Sequence, residues 1–106
     1  MHLKKTIKMK ILFPEIITEF EKQHAESSNA LSKWCTTVRN AQWKNHSDLK
    51  NDYPSADYVG NNRYVFNIKG NNYRLIVVIV FFAGTVAIRF IGTHSEYDKI
   101  KDIKNI

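Results

Sequence analysis

The chain has 106 residues, 43% of them hydrophobic and 12% aromatic, and its 16 Lys and Arg outnumber 10 Asp and Glu to give a net charge of +6. That length fits one domain with a small core and excludes most two-domain enzymes, while the hydrophobic share excludes a disordered polycation. One cysteine, Cys35, excludes an internal disulfide or a Cys-rich zinc site, so the fold rests on packing and a cytoplasmic location is expected.

Met1 to Lys8 carries charge with no apolar stretch of signal-peptide length behind it. Ile7, Met9 and Ile11 alternate with Lys8 and Lys10, the pattern of a short strand with a lysine-bearing face suited to a sheet edge. Phe13, Ile16, Ile17, Phe20 and His24 then take helical spacing, and Pro14 and Glu15 stand where a first turn accepts them. A helix is expected over 14–24. A second helical stripe runs through Ala30, Leu31, Trp34, Cys35, Val38 and Ala41, and the two helices are expected to pack on a sheet as a hairpin.

From Trp43 to Asn62 the chain turns polar, with a short helix expected around Leu49 and Tyr53, then a loop after Pro54. Tyr64, Phe66 and Ile68 alternate within a strand over 63–68, and Gly70-Asn71-Asn72 marks the turn into a second strand over 73–82. Leu75 to Phe82 is apolar on both faces, as a covered central strand would be. Leu75 to Ala83 is also the longest apolar run, too short to cross a bilayer as a helix, and no membrane partner is expected. Ala83-Gly84 leads to a third strand over 85–93, and a helix over 95–103 carries Tyr97, Ile100 and Ile103 on one side. The class is α+β, built on a mostly antiparallel sheet.

The positive charge is not spread evenly. Residues 1–10 carry four lysines and no acid, and residues 63–94 carry Arg63, Lys69, Arg74 and Arg89 with no acid. The first block reads as a solvated tail. The second lies on or between predicted strands, and Arg89 interrupts the string Val86 to Ile91, where a guanidinium needs an acid partner, a carbonyl cluster or an anionic ligand. An excess of this kind calls for nucleic acid, an acidic protein or a membrane surface.

Thr93 followed by Glu96 is a capping-box pattern that puts His94 at the first helical position, with Gly92 allowing close approach before it and Tyr97 on the same helical face. A helix start suits a phosphate oxygen and tunes an imidazole near neutral pH; the same residues also read as an ordinary cap with a surface histidine and a core tyrosine. His2, His24 and His46 lack comparable surroundings and read as structural or solvated. No metal-ligand spacing is present, and Cys35 sits on an apolar stripe rather than in a nucleophile's setting.

Asn62-Arg63-Tyr64-Val65-Phe66-Asn67-Ile68-Lys69-Gly70-Asn71-Asn72-Tyr73-Arg74-Leu75 and Ile88-Arg89-Phe90-Ile91-Gly92-Thr93-His94-Ser95-Glu96-Tyr97-Asp98 together resemble the HigB family of RelE-like toxins. Trp43-Lys44-Asn45 and Tyr53-Pro54-Ser55-Ala56 resemble that family's middle segment, and the resemblance runs from about Met9 to Ile103, leaving residues 1–8 as an extension to a domain over 9–106. It implies a RelE-like fold and a metal-independent mRNA interferase acting on messenger RNA, in many members on translating ribosomes. It also implies a HigA-type helix-turn-helix antitoxin as partner, contact with DNA only through that antitoxin, and no cofactor.

The chemistry expected of such an enzyme is attack of a ribose 2′-hydroxyl on the adjacent phosphate, which needs a base, an acid and a cation but no external nucleophile. His94 and Tyr97 are the candidates for acid and base, and Arg74 and Arg89 for phosphate stabilisation. Arg63 and Lys69 are expected to hold the RNA backbone, with Lys44 adding charge and Trp43 a stacking surface. The alternatives from other classes are a non-catalytic RNA- or ribosome-binding module and a module whose basic face binds an acidic antitoxin segment.

Overall fold

The computed structural model describes residues 8–106. Ile7 and the rest of the first seven residues, where the strand pattern and the extension begin, lie outside the described residues.

Five strands form one sheet in the order β1-β5-β4-β3-β2, with β1 (Lys10–Leu12), β2 (Asp57–Gly60), β3 (Arg63–Ile68), β4 (Tyr73–Val80) and β5 (Thr85–Thr93). The pairs β2–β3, β3–β4 and β4–β5 are antiparallel, and β1 pairs with β5 in parallel. Helices α1 (Glu15–Gln23), α2 (Ser28–Asn40) and α3 (His46–Asp52) lie between β1 and β2 in sequence, and α4 (His94–Asp98) follows β5. The class is therefore α+β with a mostly antiparallel sheet, as the alternating stretches predict.

Two-residue periodicity divides the sheet into a dry face and a wetter one. On β4, Tyr73, Leu75, Val77 and Ile79 join the core with Tyr64, Phe66 and Ile68 of β3 and Val86, Ile88 and Ile91 of β5. Leu31, Trp34 and Val38 of α2, Ile17 of α1 and Leu49 of α3 pack into the same cluster. Burying each such side chain contributes about 1.5–3 kcal/mol, which is what fixes the helices to this face. A one-turn 3-10 segment, Ala25–Ser27, joins α1 to α2, and their main contacts are with strands: α1 with β5, α2 with β1.

On the other face only Val65 and Ile76 are fully covered among the large apolar groups. Beside them the chain's last residues are held down: Arg63 Nη2 donates to Ile106 O at 2.6 Å, Arg63 Nη1 to Asn61 O at 3.0 Å, and Asn61 Nδ2 to Lys104 O at 2.9 Å.

Three details differ from the expectation. The segment 57–60 is a strand rather than a loop; Asp57 and Gly60 are poor strand formers, and pairing with β3, interrupted by an irregularity after Tyr58, overrides that. The last helix is only His94–Asp98, followed by a separate 3-10 turn at Ile103–Asn105, because no residue of α4 is buried and so short a helix gains nothing from lengthening into solvent. Trp43 is in the core at 4% exposure, its Nε1–H donating to Asp52 Oδ2 at 2.8 Å, so its ring offers no face to a base and the stacking role is corrected.

Candidate functional site

The β4–β5 register brings the sequence's most reactive residues to one end of the two central strands: Tyr73 pairs with Thr93, and Arg74 with Gly92. At that end α4 starts from a complete capping box. Glu96 N–H donates to Thr93 Oγ1 at 3.2 Å, and Thr93 N–H donates to Glu96 Oε1 at 2.8 Å. Hydrogen bonding from the Thr93 backbone N–H, and next from the Thr93 side chain, holds the Glu96 carboxyl below its ordinary range.

Gly92 has a steric reason. A Cβ there would stand 2.6 Å from Phe90 Cζ and 2.9 Å from Glu96 Oε1, so any side chain would push against the group that closes the cap.

His94 is fixed by its helical position while its ring stays open to solvent, 55% exposed, with Nδ1 at 3.3 Å from Asp98 Oδ2. An Nδ1–H directed at the carboxylate leaves Nε2 as a lone-pair acceptor facing outward. Tyr97 turns toward β4, where the Arg74 guanidinium lies 6.0 Å from its ring centre. Burial, with Asp57 and Asp98 adding to it and Arg74 opposing, pushes the Tyr97 phenol up, which keeps it a proton donor at neutral pH. Arg74 is steadied by main-chain oxygens, donating from Nη1 to Asn71 O at 3.2 Å and to Tyr73 O at 3.4 Å.

The other expected residues divide. Lys69, in the β3–β4 turn, is at the same end as His94 and exposed. Arg89 is not brought to His94. Ile76 pairs with Phe90 and Val77 with Ile88, so Arg89 is the extra residue of a β-bulge. It is exposed with no carboxylate in ion-pair range among the described residues, and strand spacing sets its Cα about 13 Å from that of Thr93. The bulge resolves the conflict its place in an apolar string posed, by turning the guanidinium to water. Arg63 is committed to the chain's last residues, as described above. Lys44 is at the far end of the sheet, beside the start of α3.

A second group at the His94 end escapes sequence reasoning. Phe20, in the last turn of α1, and His24, which caps that helix, stack at 4.3 Å, Tyr73 OH donates to Glu26, and His24 Nδ1 is 3.4 Å from the same hydroxyl. The bond from Tyr73 holds the Glu26 carboxyl down and drives the Tyr73 phenol up. Its members are too far apart in sequence for spacing to show them; only the pairing of Tyr73 with Thr93 places them beside the cap. Among the described residues, no three His, Cys, Asp or Glu side chains gather as a metal ion would need, and no helix is long and apolar enough to cross a membrane.

Comparison with known proteins gives the family of the chain. A family model described as the RelE-like toxic component of a toxin-antitoxin system, HigB toxin, matches residues 27–100. The mRNA interferase toxin HigB of Escherichia coli (strain K12) is 27% identical over 93 residues, covering 85% of this chain and 88% of the relative. The mRNA interferase HigB of Shigella flexneri matches to the same extent, and that of Escherichia coli O6:H1 is 24% identical over 94 residues, covering 87% and 91%. The matched span takes in α2, α3, all four antiparallel strands and the capped His94 junction, and the chain belongs to the HigB family of RelE-like toxins.

Proposed function

We propose that this chain is an mRNA interferase, an endoribonuclease toxin that cuts messenger RNA on translating ribosomes and is neutralised by a HigA-type antitoxin. The observation that carries the reading is the grouping of His94, Tyr97 and Arg74 at one open end of β4 and β5. The names of the relatives, mRNA interferase HigB, support the substrate.

In the proposed reaction His94 Nε2 removes the proton of a ribose 2′-hydroxyl, with Asp98 orienting the ring through Nδ1. The 2′-oxygen bonds to the neighbouring phosphorus and the bond from phosphorus to the 5′-oxygen breaks. The Tyr97 phenol supplies the proton that the leaving 5′-oxygen takes up. The products are a 2′,3′-cyclic phosphate and a free 5′-hydroxyl. Arg74 faces the charge that builds on the phosphorane oxygens, where a fixed cation stabilises the transition state more than the ground state. Lys69, at the same end, holds the RNA backbone, and Arg89 extends that contact along β5.

Primer extension on cellular mRNA after brief induction tests this. New 5′ ends are expected with the wild type and absent with His94→Ala and Arg74→Ala, both of which still bind antitoxin. An mRNA without a start site should stay uncut. Translation arrest without new ends would instead establish a non-catalytic binding module.

A further inference from the structure

At the opposite end of the sheet, the β2–β3 turn, the β4–β5 turn and the start of α3 enclose an open pocket of about 500 Å³, within the ~300–1,000 Å³ range of small-molecule sites. Lys44, His46, Tyr58, Asn62, Tyr64 and Phe81 line it, and no carboxylate does.

Its walls are aromatic and braced. Tyr58 packs at 5.1 Å from Tyr64 and 6.1 Å from His46, edge-on to the latter at 77°, and Phe81 closes against Tyr64 at 6.1 Å. The Asn62 N–H donates to the Tyr58 hydroxyl at 3.3 Å, which braces a ring that is 51% exposed, a large apolar area to present to solvent. His46 Nδ1 is 2.8 Å from the Tyr64 hydroxyl, which orients the imidazole plane and leaves Nε2 with no hydrogen-bond partner among the described residues. Lys44 is anchored through its main chain, whose N–H donates to Asp48 Oδ2 at 2.8 Å, and no carboxylate is in ion-pair range of its ammonium among the described residues.

An exposed, hydrogen-bonded ring, an open ring nitrogen and an unneutralised ammonium together match a planar heterocycle carrying an anionic group. We propose that this aromatic corner is a nucleobase subsite, in which Tyr58 and His46 take one base of the RNA, His46 Nε2 meets its edge, and Lys44 holds the adjoining phosphate. Stacking on exposed aromatic rings is the sequence-tolerant part of such binding, and the imidazole nitrogen adds preference. Tyr64 pairs with Val77, four residues along β4 from the Tyr73–Thr93 pair, a separation of about 13 Å along the strands. Tyr64 and Arg74 are on opposite faces of the sheet, so an RNA strand engaging both passes round its edge, with this base several nucleotides from the bond that is cut. The corner then helps to choose where the enzyme cuts and takes no part in the cutting. The inference rests on the mRNA interferase reading for its source of RNA.

The test uses the full chain and an uncleavable 2′-O-methyl hexanucleotide carrying a fluorescent base, together with 5′-end maps of cellular RNA. Tyr58→Ala is expected to weaken binding of the hexanucleotide about 5- to 150-fold and to redistribute the cleavage positions. Tyr58→Phe, which keeps the ring but loses the Asn62 bond that braces it, should retain most of the binding that Tyr58→Ala loses. If Tyr58→Ala binds equally and cuts the same positions while the wild type cleaves normally, the subsite is overturned. Loss of neutralisation by antitoxin with an unchanged map would also overturn it, and would assign the corner to the antitoxin. A wild type that cuts nothing but still binds the hexanucleotide through Tyr58 would sink the interferase reading and leave the subsite standing.

Discussion

The two faces of the sheet are made of the same strands and do different work. On the helix side every second residue of β4 disappears under α1, α2 and α3, and Leu31, Leu49, Leu75 and Val77 are fully buried. On the other side the alternate positions hold Arg63, Asn67 and Arg74, with a short capped helix and the last residues of the chain as partial cover. One strand therefore supplies cohesion through Leu75 and chemistry through Arg74, one position apart. Polar side chains on the second face are tolerable because the first face carries the stability.

That division can be broken by experiment. His94→Ala should cost about 10²–10⁴-fold in RNA cleavage, the ordinary contribution of a general acid or base, with no change in the urea midpoint, since the ring is more than half exposed. Should the midpoint fall as it does for a core variant, the open end is not a specialised region at all. Leu75→Ala is the converse, a loss of about 2–5 kcal/mol of stability in urea unfolding, because its site has no room to relax.

Gly92→Ala tests the seam between the faces. The added methyl meets Phe90 and the Glu96 carboxylate, and a cost of about 1–3 kcal/mol is expected together with reduced cleavage from a displaced α4. A neutral Gly92→Ala would mean the cap has slack. Thr93→Ala removes one hydroxyl from the same cap, for about 1 kcal/mol.

The smallest effect is a pH dependence. Glu96 has a lower pKa folded than unfolded, so its contribution is complete above the ordinary glutamate value of about 4.3 and is lost as pH falls through the lower folded value. Acid unfolding curves of wild type and Glu96→Gln should therefore converge at low pH and separate above it.

Local signals carried much of this into the sequence. The capping box at Thr93 and Glu96 is written within four residues, and the β3–β4–β5 meander is marked by alternation and by the turn at Gly70. What stayed hidden depends on register. Arg89 reads as a misfit in an apolar strand until a bulge between paired strands turns it outward. Trp43 reads as a surface aromatic beside a lysine until Asp52, across α3, takes its N–H and the core closes over it. Strand β2 is too short and too polar to announce itself, and its partner β3 makes it a strand. The Tyr73, Glu26 and His24 contacts, like the corner formed by His46, Tyr58 and Tyr64, join residues that only the folded sheet brings together.

The parallel pairing of β1 with β5 has a consequence for synthesis. β1 precedes all three large helices, yet its sheet partner is the strand that leads directly into α4. On a ribosome making this chain, the first strand waits for the last, and the long-range closure is slow by nature. The same few residues that complete the sheet also deliver His94 and Tyr97. The candidate site at His94 therefore depends on the same strand that closes the sheet, and it forms no earlier than that strand finds its partners.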